Sequence, residues 1–155
     1  MIKLTEILNS RKNSLTGRVY TEEEILLLAT SFKNLPFIKE FLNIFSNYNI
    51  ISQVFTLSED QDFSRMGIDM ECMDAKSQIE EAFEAYPGIL LTDHGYFAIG
   101  SCLLGSGDPY FLKLGENDKW NIYRGIHDMA SDLAYKDELI EFVISLDDLL
   151  INMPL

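Results

Sequence analysis

Apolar residues recur with helical spacing in the first half of the chain and alternate with polar residues in much of the second half. Thr21 and Glu24 form a capping box, which predicts a helix that directs apolar residues toward a core and ends near Asn34. A second helix is predicted to begin at Pro36, because proline is well accommodated in a first helical turn. Its apolar stripe consists of Phe37, Ile38, Phe41, Leu42 and Phe45.

Two strands and a third helix are predicted in the middle of the chain. Residues 50–57 are rich in β-branched side chains, and residues 66–73 alternate apolar with polar positions, so each stretch predicts a strand. Asp74 can cap a helix that Pro87 and Gly88 end. The apolar face predicted for this helix consists of Ile79, Ala82, Phe83 and Tyr86.

The region after Gly88 predicts short antiparallel strands connected by turns. Residues 89–91 and 96–99 are expected to be strands on either side of a turn. Residues 110–114 and 120–124 are aromatic-rich, alternate between two faces, and are separated by a glycine-containing turn. These segments together predict an antiparallel meander.

The C-terminal segment admits two interpretations. Residues 139–150 fit one continuous helix, but Ser145 and Asp148 form a helix start, so a strand followed by a helix is preferred. Taken together, the elements predict a single α+β domain. Residues 1–19 are predicted to form an N-terminal arm.

Composition is that of an ordinary globular domain. The chain has 155 residues, of which 47% are hydrophobic, which is enough for one core. The longest aliphatic run, residues 25–29, is far shorter than the roughly 18–20 residues that a membrane span requires. The N-terminus lacks the continuous apolar segment of a secretory signal. We therefore expect a cytoplasmic protein without a membrane partner.

The net charge of −13 is unevenly distributed along the chain. Residues 78–155 contain fourteen acidic and four basic side chains, a net charge of −10. Such a surface repels phosphate backbones, so direct binding to nucleic acid is not expected. It attracts and steers basic proteins instead. The alternative is that the acidity only keeps the protein soluble and monomeric.

The sequence contains no arrangement of side chains typical of catalysis or cofactor binding. The glycine-rich stretch 100–107 lacks the Lys-Ser/Thr pair of a phosphate-binding loop. His94 and His127 each adjoin an aspartate, but neither belongs to a metal-binding spacing. Cys72 and Cys102 are expected to be thiols rather than a disulfide or part of a metal site. The sequence therefore predicts no metal, no cofactor and no enzymatic activity.

Several short segments occur in an order and spacing that resemble one protein family. They lie within residues 20–153 and comprise 21–24, 35–36, 41–42, the helix before Pro87, 96–100, 107–112, 120–123, 127–128 and 145–150. In these segments the chain resembles the SUKH (SMI1/KNR4-like) family of bacterial immunity proteins. The resemblance implies an α+β domain at residues 20–155, in which an antiparallel or mixed β-sheet is flanked by helices. It also implies that the domain binds and neutralises a cognate toxin, and it carries over no catalytic residues.

The acidic surface suggests how such a domain would act, by covering a basic toxin such as a nuclease. The candidate contact residues are Glu80, Glu81, Glu84, Asp108, Tyr110 and Trp120. For the glutamates the alternative is an ordinary solvated helix face, and for the two aromatic residues it is a place in the core. The alternative function is a regulatory or scaffold domain with an endogenous protein partner, and a small acidic enzyme is the third.

Overall fold

The computed structural model describes residues 3–104, 107–129 and 136–154 of the chain. Within these residues the chain forms six α-helices and one six-stranded sheet, which confirms the predicted α+β class. The helices are α1 (Leu4–Arg11), α2 (Glu22–Ser31), α3 (Ile38–Phe45), α4 (Ala75–Glu84), α5 (Gly88–Thr92) and α6 (Leu146–Asn152). The strands are β1 (Val54–Leu57), β2 (Ile68–Cys72), β3 (Phe97–Cys102), β4 (Tyr110–Leu114), β5 (Trp120–Gly125) and β6 (Ile140–Ser145). None of the helices in this part of the chain has the length and apolar character that crossing a bilayer requires.

The sheet is a meander in which each strand pairs antiparallel with the next strand in the chain. β1 and β6 are therefore its two edge strands. Tyr110 lies opposite Arg124, and Leu114 lies opposite Trp120, in the register that joins β4 to β5. The predicted antiparallel meander is confirmed, and it includes β1 and β2 as well as the later strands.

The larger core lies on one face of the sheet. α6 packs on β5 and β6, and α3 supplies aromatic rings to the same layer. The Phe41 ring lies 4.8 Å from the Phe97 ring, and the Phe37 ring meets the Trp120 ring edge-on at 5.2 Å. Edge-on aromatic pairs add to the free energy gained from burial. The stripe predicted after Pro36 is thus part of the core, since all its members are buried: Phe37, Ile38, Phe41, Leu42 and Phe45.

The N-terminal arm contributes side chains to this core. Ile7, Leu8 and Leu15 are buried in it, and α1 packs against α6. The Arg11 guanidinium donates a hydrogen bond to the main-chain carbonyl of Ile151 at 3.0 Å. Farther along, Arg18 and Ile51 form an isolated antiparallel bridge. The arm is therefore tied to the domain by packing and by hydrogen bonds.

A smaller apolar cluster lies on the opposite face of the sheet. Ala98 and Phe111 belong to it, and they point away from Phe97 and Leu112 because successive strand residues face opposite sides. The other members of this cluster are Leu91, Tyr96 and Leu139. α5, which carries Leu91, therefore covers part of the second face.

The side chain of Gln78 makes a hydrogen bond to β3 just beyond the point where β2 stops pairing with that strand. Met73 donates the last main-chain bond to β3, through the carbonyl of Ile99. One residue along β3, the Gln78 side-chain amide donates to the Ala98 carbonyl at 3.0 Å. The Tyr20 hydroxyl in turn donates to the Gln78 amide oxygen at 2.9 Å. α4 thus lies beside the first half of β3 without leaving that carbonyl unpaired.

A buried ion pair attaches the connection between β1 and β2 to the sheet. Arg124 Nη2 lies 3.7 Å from Asp62 Oδ2, and both side chains are almost completely buried. The Arg124 guanidinium also donates to Ser64 Oγ at 2.7 Å and to the Gly67 carbonyl at 2.8 Å. Asp62 accepts a further hydrogen bond from the Ser64 main-chain N–H at 2.7 Å. The charges are therefore compensated by several hydrogen bonds, as buried charges require.

The helix starts predicted at Thr21 and Ser145 are confirmed, whereas the helix predicted to begin at Pro36 begins at Ile38. The Thr21 hydroxyl accepts from the Glu24 N–H at 3.1 Å, and the Ser145 hydroxyl accepts from the Asp148 N–H at 3.2 Å. The preferred interpretation of the C-terminus, a strand followed by a helix, is therefore correct. Some boundaries differ, because α2 ends at Ser31 rather than near Asn34, and β1 covers only the second half of residues 50–57.

The strand predicted at residues 89–91 is wrong, because these residues belong to α5. The N–H of Ile89 donates to the Ala85 carbonyl, and the N–H of Leu91 donates to the Pro87 carbonyl, both with helical spacing. An apolar run this short cannot be assigned to a strand or a buried helix by its periodicity alone.

Candidate functional site

The three predicted glutamates lie in the C-terminal half of α4. The helix starts where the Asp74 carboxylate accepts from the Ser77 N–H at 2.8 Å, and this hydrogen bond lowers the pKa of Asp74. Glu80 and Glu84 are exposed, whereas Glu81 is only partly exposed. The Lys76 ammonium lies 3.9 Å from the Glu80 carboxylate, one turn earlier. Glu80 therefore has a basic neighbour, Lys76, on its own helix. This pair was not expected from the sequence, because the lysine precedes the glutamate.

Glu81 differs from its neighbours because the chain folds back against it. A Cβ on Gly88 would collide with the main-chain carbonyl of Glu81, so only glycine permits this approach. Burial raises the pKa of Glu81 from its ordinary value of 4.5 to about 7, and the nearby His127 acts in the opposite direction. Glu81 is thus a carboxyl group that titrates near neutral pH.

Asp108 and Glu81 both have His127 as a neighbour. The Asp108 carboxylate accepts a hydrogen bond from the main-chain N–H of His127 at 2.8 Å. The imidazole of His127 lies 3.2 Å from the Asp128 carboxylate and packs against Gly107, whose φ of +78° suits glycine. Four of the predicted contact residues, Glu80, Glu81, Glu84 and Asp108, therefore belong to one region. We call this region, with His127 and Asp128, the acidic end of α4.

Tyr110 and Trp120 do not contribute to that surface. Their side chains are 1% and 3% exposed, respectively, so neither offers contact area to a partner. Tyr110 packs with its ring 5.5 Å from the Arg124 guanidinium carbon, and Trp120 packs on α3. Both residues lie on the inward-facing positions of their strands, which explains their burial. The prediction that they anchor a partner is corrected by this packing.

Two aromatic residues that the sequence assigned to the core are exposed instead. Phe83 and Tyr86 retain 47% and 43% of their surface, although both were expected on the buried face of the helix. The buried positions of α4 are occupied by smaller or polar side chains: Ala75, Gln78 and Ala82. The spacing of three and four residues from Glu80 does place Phe83 and Glu84 on one helical surface, so this signal was present in the sequence.

A groove of about 630 Å³ opens beside Phe83. One wall contains Phe83 and Phe32, whose ring centroids are 5.3 Å apart, together with residues 34–37. The other wall contains residues 92–95 and Lys113, whose ammonium donates to the His94 carbonyl at 3.1 Å. His94 therefore lies at this groove, whereas His127 lies beside Asp108. The two histidines are in different surroundings.

Metal binding and thiol chemistry find no support in this arrangement. Across residues 3–104, 107–129 and 136–154, no three His, Cys, Asp or Glu side chains are placed to share an ion. Cys72 and Cys102, both described, are not joined by a disulfide. Burial raises the pKa of the Cys72 thiol to about 12, so it is a weak nucleophile. The prediction of two separate thiols agrees with this geometry, although Cys102 is only partly buried.

Comparisons of the chain with protein-family models, curated proteins and solved structures find no match.

Proposed function

We propose that this protein binds and neutralises a basic protein toxin, and that the acidic end of α4 makes the contact. The observation that carries the proposal is the exposure of Phe83 and Tyr86 beside Glu80 and Glu84. Aromatic side chains anchor protein interfaces, and surrounding carboxylates favour a basic partner. Phe83 lies on α4 itself, and Tyr86 follows two residues after the end of that helix at Glu84.

The charge of the whole chain supports the same kind of partner. A net charge of −13 creates a long-range attraction for a basic domain, which raises the rate of encounter. A standard interface buries about 1,600 Å² in total, half of it on each partner. The end of one helix is smaller than this, so the contact would include Asp108, Asp128 and the groove beside Phe83.

The resemblance to the SUKH immunity proteins points to a toxin as the basic partner. Members of that family act by binding, which agrees with a site composed of carboxylates and exposed aromatic rings. A nuclease is a suitable kind of toxin, because its active-site cleft must attract phosphate and is therefore basic. The chain would inhibit it by covering that cleft with carboxylates.

The experiment that tests the proposal expresses the protein encoded immediately upstream of this reading frame. Cells receive that protein alone, together with this chain, or together with an unrelated acidic protein of similar size. Growth arrest by the upstream protein, relieved by this chain and not by the unrelated protein, is the expected result.

Other outcomes would favour the alternative functions. An upstream protein that is harmless, or that stays lethal beside this chain, would contradict the immunity role. Capture of a non-toxic partner through the acidic end of α4 would then favour the regulatory or scaffold domain.

A further inference from the structure

The first strand of the sheet, β1, has one edge that pairs with β2 and one that is open. The N–H of Cys72 donates to the Gln53 carbonyl at 2.9 Å, and the N–H of Leu103 donates to the Asp69 carbonyl at 2.8 Å. In β2, even-numbered residues therefore direct their main-chain groups to β1, and odd-numbered residues direct them to β3. Met70 and Ile68 of β2 lie opposite Phe55 and Leu57 of β1. Phe55 and Leu57 are therefore the β1 residues whose main-chain groups bond to β2.

Val54 and Thr56 consequently point their main-chain groups away from the sheet. The carbonyl of Val54 accepts from the Gln53 side-chain amide at 2.9 Å, which confirms this orientation. The N–H of Val54 and both main-chain groups of Thr56 make no hydrogen bond to any residue that the structure describes. Such groups are the template on which another strand can add.

A groove runs along this open edge. It has a volume of about 240 Å³, and it lies between β1, the end of the N-terminal arm and the end of α6. The residues that line it besides β1 are Ser14, Thr16, Gln53, Leu149, Met153 and Pro154. The arm itself pairs with the chain just before β1, through Arg18 and Ile51, and does not pair with β1. The Gln53 side chain does join the arm to the start of β1, because the Thr16 N–H donates to its amide oxygen at 2.6 Å and its amide donates to the Val54 carbonyl. The part of the edge that stays open consists of the Val54 N–H and both main-chain groups of Thr56.

The other edge strand, β6, is protected in a way that β1 is not. The connection that contains Phe63 lies against it, and the Phe63 N–H donates to the Val143 carbonyl at 2.9 Å. Natural proteins cover or charge their sheet edges to prevent unwanted pairing. One covered edge and one open edge in the same sheet suggest that the open one has a use.

We propose that β1 binds an extended segment of a partner protein, which adds to the sheet as a seventh strand. This proposal concerns a second surface and is independent of the toxin proposal. Main-chain hydrogen bonds from the Val54 N–H and from both main-chain groups of Thr56 would hold the segment, as in other cases of strand addition.

The surroundings of β1 determine the side chains that the segment carries. On one face of the edge lie Phe55 and Leu57 with Met153, which are apolar. On the other face, Asp69 and Glu71 of β2 lie opposite Thr56 and Val54, and Asp69 accepts a hydrogen bond from the Thr56 hydroxyl at 3.3 Å. These carboxylates are one strand behind the open edge, so long basic side chains of the segment would reach across β1 to them. The segment would therefore alternate apolar with basic residues. A second copy of this chain is disfavoured, because two chains that each carry a net charge of −13 repel each other.

The test uses a fluorescein-labelled octapeptide of alternating valine and lysine and measures its binding by fluorescence anisotropy. Two further peptides carry N-methyl groups, one on all valines and the other on all lysines. In an added strand only one of these two sets of N–H groups faces β1, since the groups alternate between the two edges. We expect one methylated peptide to bind roughly tenfold more weakly and the other to bind nearly as well as the parent. A valine–glutamate peptide should bind roughly tenfold more weakly than the parent, too.

Amide hydrogen exchange provides a second readout that leaves the protein unaltered. The Val54 and Thr56 amides are expected to exchange quickly in the free protein and to be protected when the valine–lysine peptide is added. Equal affinity of the two methylated peptides, whether retained or lost, would overturn the proposal. So would the absence of binding. A dimer in sedimentation, together with a Thr56 amide that is protected from exchange before peptide is added, would also overturn it. A second copy would then be the occupant of the edge.

Discussion

The side-chain amide of Gln78 donates a hydrogen bond to the main-chain carbonyl of Ala98 at 3.0 Å, in the place that β2 would otherwise fill. Gln78 is completely buried, and its amide oxygen accepts from the Tyr20 hydroxyl. Three polar groups from distant parts of the chain thus satisfy one another inside the fold. A buried network of this kind is costly to break in part.

Substitution of Gln78 with leucine should therefore destabilise the protein strongly. Gln78→Leu keeps the size of the side chain but leaves the Ala98 carbonyl and the Tyr20 hydroxyl buried without partners. We expect the free energy of unfolding to fall by about 2–4 kcal/mol, measured by urea denaturation. Tyr20→Phe, which removes one bond of the network, should cost about 1–2 kcal/mol. A loss below about 0.5 kcal/mol for Gln78→Leu would contradict this account.

The buried pair of Arg124 and Asp62 makes a similar prediction for the connection between β1 and β2. Arg124→Met removes one charge and leaves the other buried, which should cost about 3–5 kcal/mol. Hydrogen exchange should become faster at residues 62–67, which the guanidinium holds. Arg124→Lys is the matched control, since it keeps the charge but not the planar fork, and we expect an intermediate loss. Unchanged exchange in Arg124→Met would show that the connection is held by other contacts.

Glu81 should make stability depend on pH. Its pKa is raised to about 7 in the folded protein, so the folded state favours the protonated carboxyl group. The stability it contributes is present below its ordinary pKa of 4.5 and is lost as the pH rises through about 7. Because the side chain is partly exposed, solvent screening limits the change to about 1 kcal/mol. Glu81→Gln should then be more stable than the wild type at pH 8.

The measurement is urea denaturation of the wild type and Glu81→Gln between pH 4.5 and pH 8. The difference in unfolding free energy between the two should grow with pH. Glu80→Gln makes the same change of charge on the exposed side of the helix and serves as the control. An identical pH profile for the two variants would show that the burial of Glu81 has no such effect.

Phe83 and Tyr86 should matter for binding and little for stability. Replacing both with alanine is expected to weaken affinity for the neutralised toxin by about 2 kcal/mol or more, measured by calorimetry. Unfolding free energy should change by less than about 1 kcal/mol, because both rings are nearly half exposed. Leu26→Ala, at an exposed apolar residue of α2, provides the control. Equal losses of affinity in the double variant and in Leu26→Ala would show that Phe83 and Tyr86 do not contact the toxin.

Local signals in the sequence were sufficient for much of the fold. The caps at Thr21, Asp74 and Ser145 each depend on a side chain and an N–H three residues later, so the chain itself specifies them. The strands of the meander could be predicted because their side chains alternate with a period of two. The helix at residues 88–92 could not be predicted, since its few apolar residues suit a strand as well as a helix.

The candidate site was less predictable, because it depends on which face of α4 meets β3. A polar residue, Gln78, is buried there, since only a side chain with an amide can satisfy both Ala98 and Tyr20. With Gln78 on the buried side of α4, Phe83 lies on an exposed side, and Tyr86 is exposed just after the helix ends at Glu84, contrary to what the hydrophobicity of the two residues predicts. Long-range hydrogen bonds of this kind leave no periodic signal in a sequence. The pairing of Asp108 with His127, across two strands, is of the same nature.

The most direct test of the central claim is the rate at which this chain associates with the toxin identified by co-expression. Association is measured by stopped-flow fluorescence at about 50 and about 200 mM NaCl. Two variants with the same change of net charge are compared: Glu80→Lys with Glu84→Lys on α4, and Glu22→Lys with Glu23→Lys on α2, all exposed positions. We expect the α4 variant to associate roughly tenfold more slowly at low salt and to lose most of its salt dependence, while the α2 variant changes far less. Equal effects of the two variants would contradict this expectation.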